Sequence, residues 1–395
     1  MSLRILHVIQ TVSPKSGGPI EGLCQQAKSH LFYGHSVEIA CLDKPEDNFL
    51  DIPYIKVHPC RSTWLDNLIP VTLYAWLKSN ILSYDCVIVN CIWGLHLFVA
   101  WSVSANKNVP FFVFIHGMLD PWFKFRYPLK HVKKWLFWPW AVYPCLRDAD
   151  AVFFTCEQEK LLARKSFWLY DCNETVINYG TAGIPNPKND YATSFLENHP
   201  TLINKRIFLF LGRVHPKKGP DLLIKSLAIL QEKGQWDTSN MRLVFAGPHD
   251  SLYSSKLVSI SKKLGLFNSI YWTGMLSGDQ KWGAFQCAEA FVLASHQENF
   301  GIAVVEALSC GVPVLITPNI NIANEIKYDQ AGLVEPDNLQ GATQLFLRWL
   351  ALSTRDKLKM KKAARQCFEK RFHSSLTSTS ITKHIYQALL ERSLQ

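Results

Sequence analysis

The sequence predicts an α/β protein built from two parallel-sheet domains, and three observations carry that expectation. Short apolar runs alternate with longer segments of helical period; a polar stretch rich in Pro, Asn and Gly interrupts the alternation over residues 178–200; a second alternating series then starts at "RIFLFLGRV". Parallel strands are covered on both faces by their crossover helices, so they read as continuous apolar runs and not as alternating ones. In chain order the first series offers the strands "RILHVIQ", "SVEIACL", "DCVIVNC", "PFFVFIHG", "DAVFFTC" and "ETVIN". Between them lie helical candidates such as "PIEGLCQQAKSHLFYG" and "PLKHVKKWLFWPWAVYPCLRD". The resulting division is a first domain over 1–180, a linker region over 181–205, a second domain over 206–373 and a terminal helix over 374–395. Ligands are expected at the carboxyl ends of the strands. No internal repeat or low-complexity segment is evident.

Composition limits what those ligands are. With 395 residues, 48% of them hydrophobic, the chain can build sizeable cores, and a formal net charge of +10 points to anionic partners. The eleven cysteines are odd in number and lack C-x-x-C pairs, so reduced, mostly buried thiols are expected in place of a disulfide framework or a metal site. The N-terminus "MSLRILHVIQTV" lacks the long apolar region of a signal peptide, and no run of eighteen apolar residues occurs. The expectation is a cytoplasmic protein without a spanning helix.

Chemistry concentrates in four places. In "SHQENFGIAVVEALSCGVPVLIT", Glu298 and Glu306 flank a glycine turn between the apolar runs "AFVLAS" and "VPVLIT". Eight helical steps would put them roughly 12 Å apart along the axis at about 1.5 Å per residue, too far to share a proton. They suit the two ends of one long ligand, with an anionic middle over the exposed N–H groups of a helix starting near Gly301. In "LFLGRVHPKKGPDLL", Gly212 ends a strand and Arg213, Lys217 and Lys218 fill the loop before the next helix, where cations can hold a diphosphate or simply be solvated. After the first strand, "SPKSGGPIEGL" sets Gly17 and Gly18 before a helical Pro19, a ligand loop or an ordinary strand-to-helix turn. His116 ends the strand of "FVFIHGMLDPW", a position open to a structural or a functional histidine; Asp120 either contacts acceptor hydroxyls or caps the following helix.

The glycine pair, the G-R-V-x-x-x-K-G run at 212 to 219 and the E-N-F-G-I-x-x-x-E run at 298 to 306 together resemble the retaining glycosyltransferases of family 4, also called glycosyltransferase group 1. The resemblance covers nearly the whole chain and is most specific in its second half. It implies the GT-B architecture, two Rossmann-like domains facing across a cleft, with donor nucleotide held mainly by the second and acceptor mainly by the first. It also implies a terminal helix returning to the first domain. Residue by residue, it implies that Arg213 and Lys218 neutralise the donor diphosphate, that Glu298 reads hydroxyls of the transferred sugar and that Glu306 holds the ribose. The backbone of Phe300, Gly301 and Ile302, beside Asn299, would meet the phosphates, with Gly17 and Gly18 approaching from the first domain. Met275 and Leu276 in "YWTGMLS" would line the base, and His116 would lie near the donor sugar.

The segment 121–144 mixes Lys, Arg and His with Trp, Phe and Tyr, a composition suited to a membrane interface, a packed helix or an RNA-stacking surface; Pro128 and Pro139 limit one continuous helix. The reading is a metal-independent, retaining hexosyltransferase of cell-surface polysaccharide or glycolipid biosynthesis, on the inner face of the cytoplasmic membrane. Its expected partners are a nucleotide-sugar donor, a glycan or lipid-linked acceptor and an anionic membrane surface. Nucleic acid is not an expected partner, and no cofactor is needed because the nucleotide sugar is a substrate. The one Asp-x-Asp run, Asp148-Ala149-Asp150, leads into the strand of "DAVFFTC", at the end opposite to the carboxyl ends where ligands are expected. The alternatives are a sugar-nucleotide epimerase of the same fold and a non-enzymatic basic membrane- or RNA-binding protein with a degenerate site.

Overall fold

The computed structural model describes residues 2–16, 18–63, 66, 69–177, 179–248 and 251–394. The chain divides into two compact units, Met1–Thr181 with His373–Gln395, and Ala182–Phe372.

The first unit holds a seven-stranded sheet formed by β1 (Arg4–Ile9), β2 (Ser36–Cys41), β3 (Lys56–Pro59), β4 (Cys86–Asn90), β5 (Phe111–Phe114), β6 (Ala151–Phe154) and β7 (Glu174–Val176). Its order is β3-β2-β1-β4-β5-β6-β7, parallel throughout. β4, β5 and β6 are buried along their whole length, which is why each reads as an unbroken apolar run. The strand order reverses between β1 and β4, and the loops beyond the carboxyl ends of these two strands therefore flank a crevice. The helix Ser374–Ser393 packs on the helix Gly18–Phe32, with Ser378 hydrogen-bonded to Ser29, and Arg392 forks onto Asp150 at 2.5 and 2.9 Å. The long helical candidate of this unit breaks into Pro128–Phe137, a wide π turn over Trp138–Val142 and Tyr143–Arg147. Pro139 and Pro144 have no N–H to give to an α-helical ladder, and the loosened turn absorbs the loss.

The second unit repeats the plan with β8 (Arg206–Leu211), β9 (Met241–Ala246), β10 (Ile270–Gly274), β11 (Ala288–Leu293), β12 (Val314–Ile316) and β13 (Gly332–Val334), in the parallel order β10-β9-β8-β11-β12-β13. Phe208, Phe210, Phe245, Phe291 and Trp349 fill its core. Residues 182–205, expected to be linker, are part of this unit instead. The helix Tyr191–Asn198 inserts the buried Phe195 against the helix Gly278–Cys287, and Gln286 accepts from the amides of Tyr191 and Ala192 at 2.9 and 3.0 Å. The apolar pair at 191 and 195 supplies one helical face, enough to dock a short helix despite the surrounding Pro and Asn. No helix among the described residues is long and apolar enough to cross a membrane.

Candidate functional site

The loops after β8 and β11 are locked together before any ligand is considered. Gly219 adopts a left-handed φ of 60°, and a Cβ there would stand 2.0 Å from the Ala294 carbonyl oxygen, so no other residue lets the two loops approach this closely. The Lys217 carbonyl accepts from both the His296 amide, 2.8 Å, and the Ser295 hydroxyl, 3.0 Å. This contact carries Lys218 onto Glu298, Nζ to Oε2 2.9 Å, with each side chain about one-fifth exposed. Arg213, in the same loop, is exposed and points its charge outward.

Glu298 is fixed on its backbone side as well. Its amide donates to Asn319 O at 3.0 Å and its carbonyl accepts from the Asn321 amide at 3.1 Å, while Asn321 Nδ2 reaches Asn299 Oδ1 at 3.3 Å. The Phe300 ring turns into the unit, edge-on to Phe372 with centroids 5.7 Å apart. Gly301, at φ 76°, is the N-cap of the helix Ile302–Ser309, whose first amides have no partner within the helix. Glu306 lies in that helix, buried, with its Oε1 2.7 Å from Lys281 Nζ. The two carboxylates therefore do not share a proton; each has its own lysine. Met275 is exposed and Leu276 half-buried just past β10.

In the first unit, Gly18 opens the helix Gly18–Phe32 and is exposed; Gly17 lies outside the described residues. His116 follows β5 in a left-handed conformation, φ 53°, which is uncommon for a residue with a Cβ and aims its ring back over the sheet. The ring stacks on Phe114, centroids 4.1 Å apart, and its Nε2–H donates to Asn90 Oδ1 at 3.0 Å. Asn90 Nδ2 in turn donates to His7 Nδ1 at 3.0 Å. Burial holds both imidazoles down at about 3, helped at His7 by the proximity of His116, so both are neutral near pH 7. With Nε2 carrying the proton, His116 keeps Nδ1 as its basic atom. The following turn is held by the buried Glu159, which accepts from the Gly117 amide and from Thr155 N and Oγ1 at 2.6 and 2.5 Å. Asp120 is buried and accepts from the Trp122 amide at 2.8 Å, beside the start of the helix Trp122–Arg126.

Lys281, Asn90, His7 and Glu159 escape sequence reasoning. Lys281 sits in a helix without a motif and meets Glu306 only through tertiary packing. His7 and Asn90 left one signal, a polar residue inside an otherwise apolar strand, which burial of that strand turns into a demand for a partner.

A family model described as "Glycosyl transferases group 1" matches residues 196–367, and one described as "Glycosyl transferase 4-like domain" matches residues 17–179. The D-inositol 3-phosphate glycosyltransferase of Actinosynnema mirum is 31% identical over 112 residues, 28% of this chain and 27% of that protein, so the match spans about a quarter of the relative's length. Among solved structures, the sucrose-phosphate synthase of Thermosynechococcus elongatus superimposes with a TM-score of 0.78 at 17% identity, covering 98% of this chain and 100% of its own. The Anabaena protein HepE, solved in complex with UDP-glucose, gives 0.74 at 18% identity over 98% and 100%. At those identities the likeness is one of fold, the α/β GT-B class.

Proposed function

The chain belongs to the glycosyltransferase group 1 family, and from that premise we propose that it moves a sugar from a nucleotide-sugar donor to a glycan or lipid-linked glycan acceptor, with retention of anomeric configuration, in cell-surface polysaccharide or glycolipid biosynthesis. The observation that carries the reading is the Lys218–Glu298 pair, 2.9 Å apart in loops at the carboxyl end of a parallel sheet and next to the helix start at Gly301. A lysine, an exposed arginine and the positive end of the helix that starts at Gly301 can take up the charge that develops on a leaving diphosphate, where preorganised donors accelerate most. Arg213 and Lys218 supply that charge in place of a divalent ion. Glu298 reads sugar hydroxyls, and Glu306, oriented by Lys281, takes the ribose. The backbones of Asn299, Phe300, Gly301 and Ile302 face the phosphates, and those of Met275 and Leu276 the base; Gly17 and Gly18 serve the same diphosphate.

In the reaction, the acceptor hydroxyl attacks the anomeric carbon from the side on which the nucleotide departs. The new C–O bond forms as the bond to phosphate breaks, and a phosphate oxygen takes the proton. His116, neutral and with Nδ1 free of the proton, positions the sugar and is not the obligatory base. HepE, solved with UDP-glucose, supports testing that donor first in a panel of nucleotide sugars. The decisive assay follows nucleotide release with and without added acceptor in excess EDTA and reads the product anomer by proton NMR. An inverted linkage, an activity lost to EDTA and restored by metal, or turnover without acceptor would each refute this function.

The same reading places the protein at an anionic membrane surface. Phe125, Leu129, Val132, Leu136 and Trp140, spaced by three or four residues, are all more than half exposed, and Lys124, Arg126, Lys130 and Lys133 flank them. Rings and aliphatic chains can enter the headgroup boundary while the bases meet acidic lipid.

A further inference from the structure

The helix Pro128–Phe137 has an inner side too, and that side borders a cavity lying wholly within the first unit. Its volume is about 420 Å³, inside the ~300–1,000 Å³ range of small-molecule sites. Gln10 just past β1, Trp93 and His96 just past β4, and Lys133 and Lys134 from the helix line it. It thus occupies the crevice where the strand order reverses, the place at which open parallel sheets take ligands.

Its polar groups are unevenly satisfied. Among the described residues lining it, Asp66 alone carries a carboxylate, and that carboxylate is already engaged by the amide and hydroxyl of Thr63 and of Thr72, all at 2.8 Å, and by the Ser62 amide at 3.2 Å. It therefore offers Lys133 and Lys134 little to pair with. The Lys134 ammonium rests 4.3 Å from the Trp93 ring centroid, half-buried, and burial together with Lys130 lowers its proton affinity, the condition that an incoming anion relieves. His96 is fully buried. Its Nε2–H donates to Cys91 O and Asn90 O, at 3.2 and 3.3 Å, which leaves Nδ1 as an acceptor, and that atom has no partner. Gly94 covers it with no side chain; a Cβ there would lie 2.7 Å from Nδ1. An unpartnered buried acceptor beside two cations asks for a ligand that brings both a hydroxyl and an oxyanion.

We infer that this cavity binds the phosphate-bearing end of the acceptor, with the oxyanion on Lys133 and Lys134 and a hydroxyl donated to His96 Nδ1. The assignment to the acceptor rests on the transferase reading above; the affinity for a hydroxylated phosphate does not. Because the opposite side of the same helix exposes Leu129, Val132 and Leu136, the phosphate has two sources, a lipid headgroup or a soluble phosphorylated glycan.

The test is calorimetric titration of the full chain with sn-glycerol 3-phosphate and, in a second arm, with phosphatidylcholine vesicles containing phosphatidic acid. Binding confined to the first arm marks a soluble phosphate ester, and tighter binding in the second marks a headgroup. In either case the Lys133→Gln/Lys134→Gln variant should bind about tenfold more weakly or worse. His96→Gln keeps a donor for the two carbonyls, removes the Nδ1 acceptor and changes no charge at neutral pH. It should weaken sn-glycerol 3-phosphate severalfold while leaving sulfate, an oxyanion with no hydroxyl at neutral pH, unaffected, which separates the cavity from general attraction to an acidic surface. No measurable binding by the parent, or parent-like affinity in both variants, overturns the inference. Thermal stabilisation by a panel of nucleotide sugars is followed alongside. Its absence in a parent that binds sn-glycerol 3-phosphate would count against the transferase reading and leave the cavity standing.

Discussion

Beyond β8, β10 and β11 the second unit sets opposite charges against each other, Lys218 on Glu298 and Lys281 on Glu306, whereas within β1 and β4 and just past β5 the first unit uses neutral groups, His7, Asn90 and His116. The difference follows from pairing, since even the buried Glu306 faces a lysine. Charges can stay at a strand end because the loops leave Lys218 and Glu298 about one-fifth exposed, and a partner offsets what desolvation remains. His7 and His116 are instead hydrogen-bonded to the neutral Asn90, so burial keeps them uncharged and the hydrogen bonds fix which nitrogen holds the proton. One region pairs its charges and the other holds one ring in one orientation.

The contrast breaks most sharply at Glu298 and Arg213. Glu298→Ala and Arg213→Ala each remove a charge-assisted contact worth about 1.5–3 kcal/mol, so transfer should fall by roughly ten- to a hundredfold, and further where water is excluded. The fold should survive, because both residues lie in loops and a partly exposed ion pair contributes about 1 kcal/mol or less. Steady-state kinetics with thermal melts check this; near-parental turnover in either variant would sink the assignment.

The neutral region should respond to pH where the charged one does not. Asn90→Asp puts a carboxylate between two imidazoles, which favours their protonated forms and lifts both from about 3. A protonated His116 loses its free Nδ1, so kcat should drop on the order of tenfold and recover as pH rises through the new value, as for a general orienting group. In the parent the folded values lie below the unfolded one, so the unfolded chain binds more protons between them. Stability is then present above about 6.5 and is lost as pH falls toward 3, at up to about 1.4 kcal/mol per pH unit for each buried histidine. His30, also buried and held at about 3, adds to that slope, and His30→Gln should flatten a plot of Tm against pH. A slope unchanged by that substitution would contradict the account.

How much of this was readable beforehand differs between the two regions for the same physical reason. Strands covered on both faces announce themselves as apolar runs, and charged residues in strand-end loops stand out against them, so the two sheets and Arg213, Lys218, Glu298 and Glu306 were legible. Partners supplied by another element were not: Lys281 comes to Glu306 from a helix with no motif, and Asn90 becomes an orienting group only when β4 pairs with β1 and β5. The stretch 181–205 was misjudged because Pro and Asn dominate its composition, although Tyr191 and Phe195 already marked one apolar face.

Lys281 sharpens the comparison within the charged region. Lys281→Met leaves Glu306 buried without its cation and free to swing from the ribose, so the donor KM should rise about tenfold while kcat changes less, the pattern of lost ground-state binding. The lysine also rests 4.6 Å from the Trp282 ring centroid, so Lys281→Arg should restore most of the effect by keeping charge and stacking. A kcat effect as large as the KM effect would move Glu306 from the ribose to the reacting centre.

The smallest expected effect belongs to the outer side of the helix Pro128–Phe137, which the two regions do not share. Lys124 and Arg126 are exposed and lie away from the cavity lining, so replacing them by Glu tests surface attraction alone. Each base near an acidic surface contributes about 1 kcal/mol, so vesicle affinity should fall roughly fivefold per position and fall again as salt shortens the Debye length. Leu129→Gln and Leu136→Gln, at 82% and 62% exposure, should weaken binding without changing its salt dependence, because what they remove is insertion and not charge. Cosedimentation with anionic and neutral vesicles reads both. Binding that ignores salt, charge reversal and the leucine changes alike would show that this exposed side meets something other than lipid, and the acceptor would then have to reach the enzyme from solution.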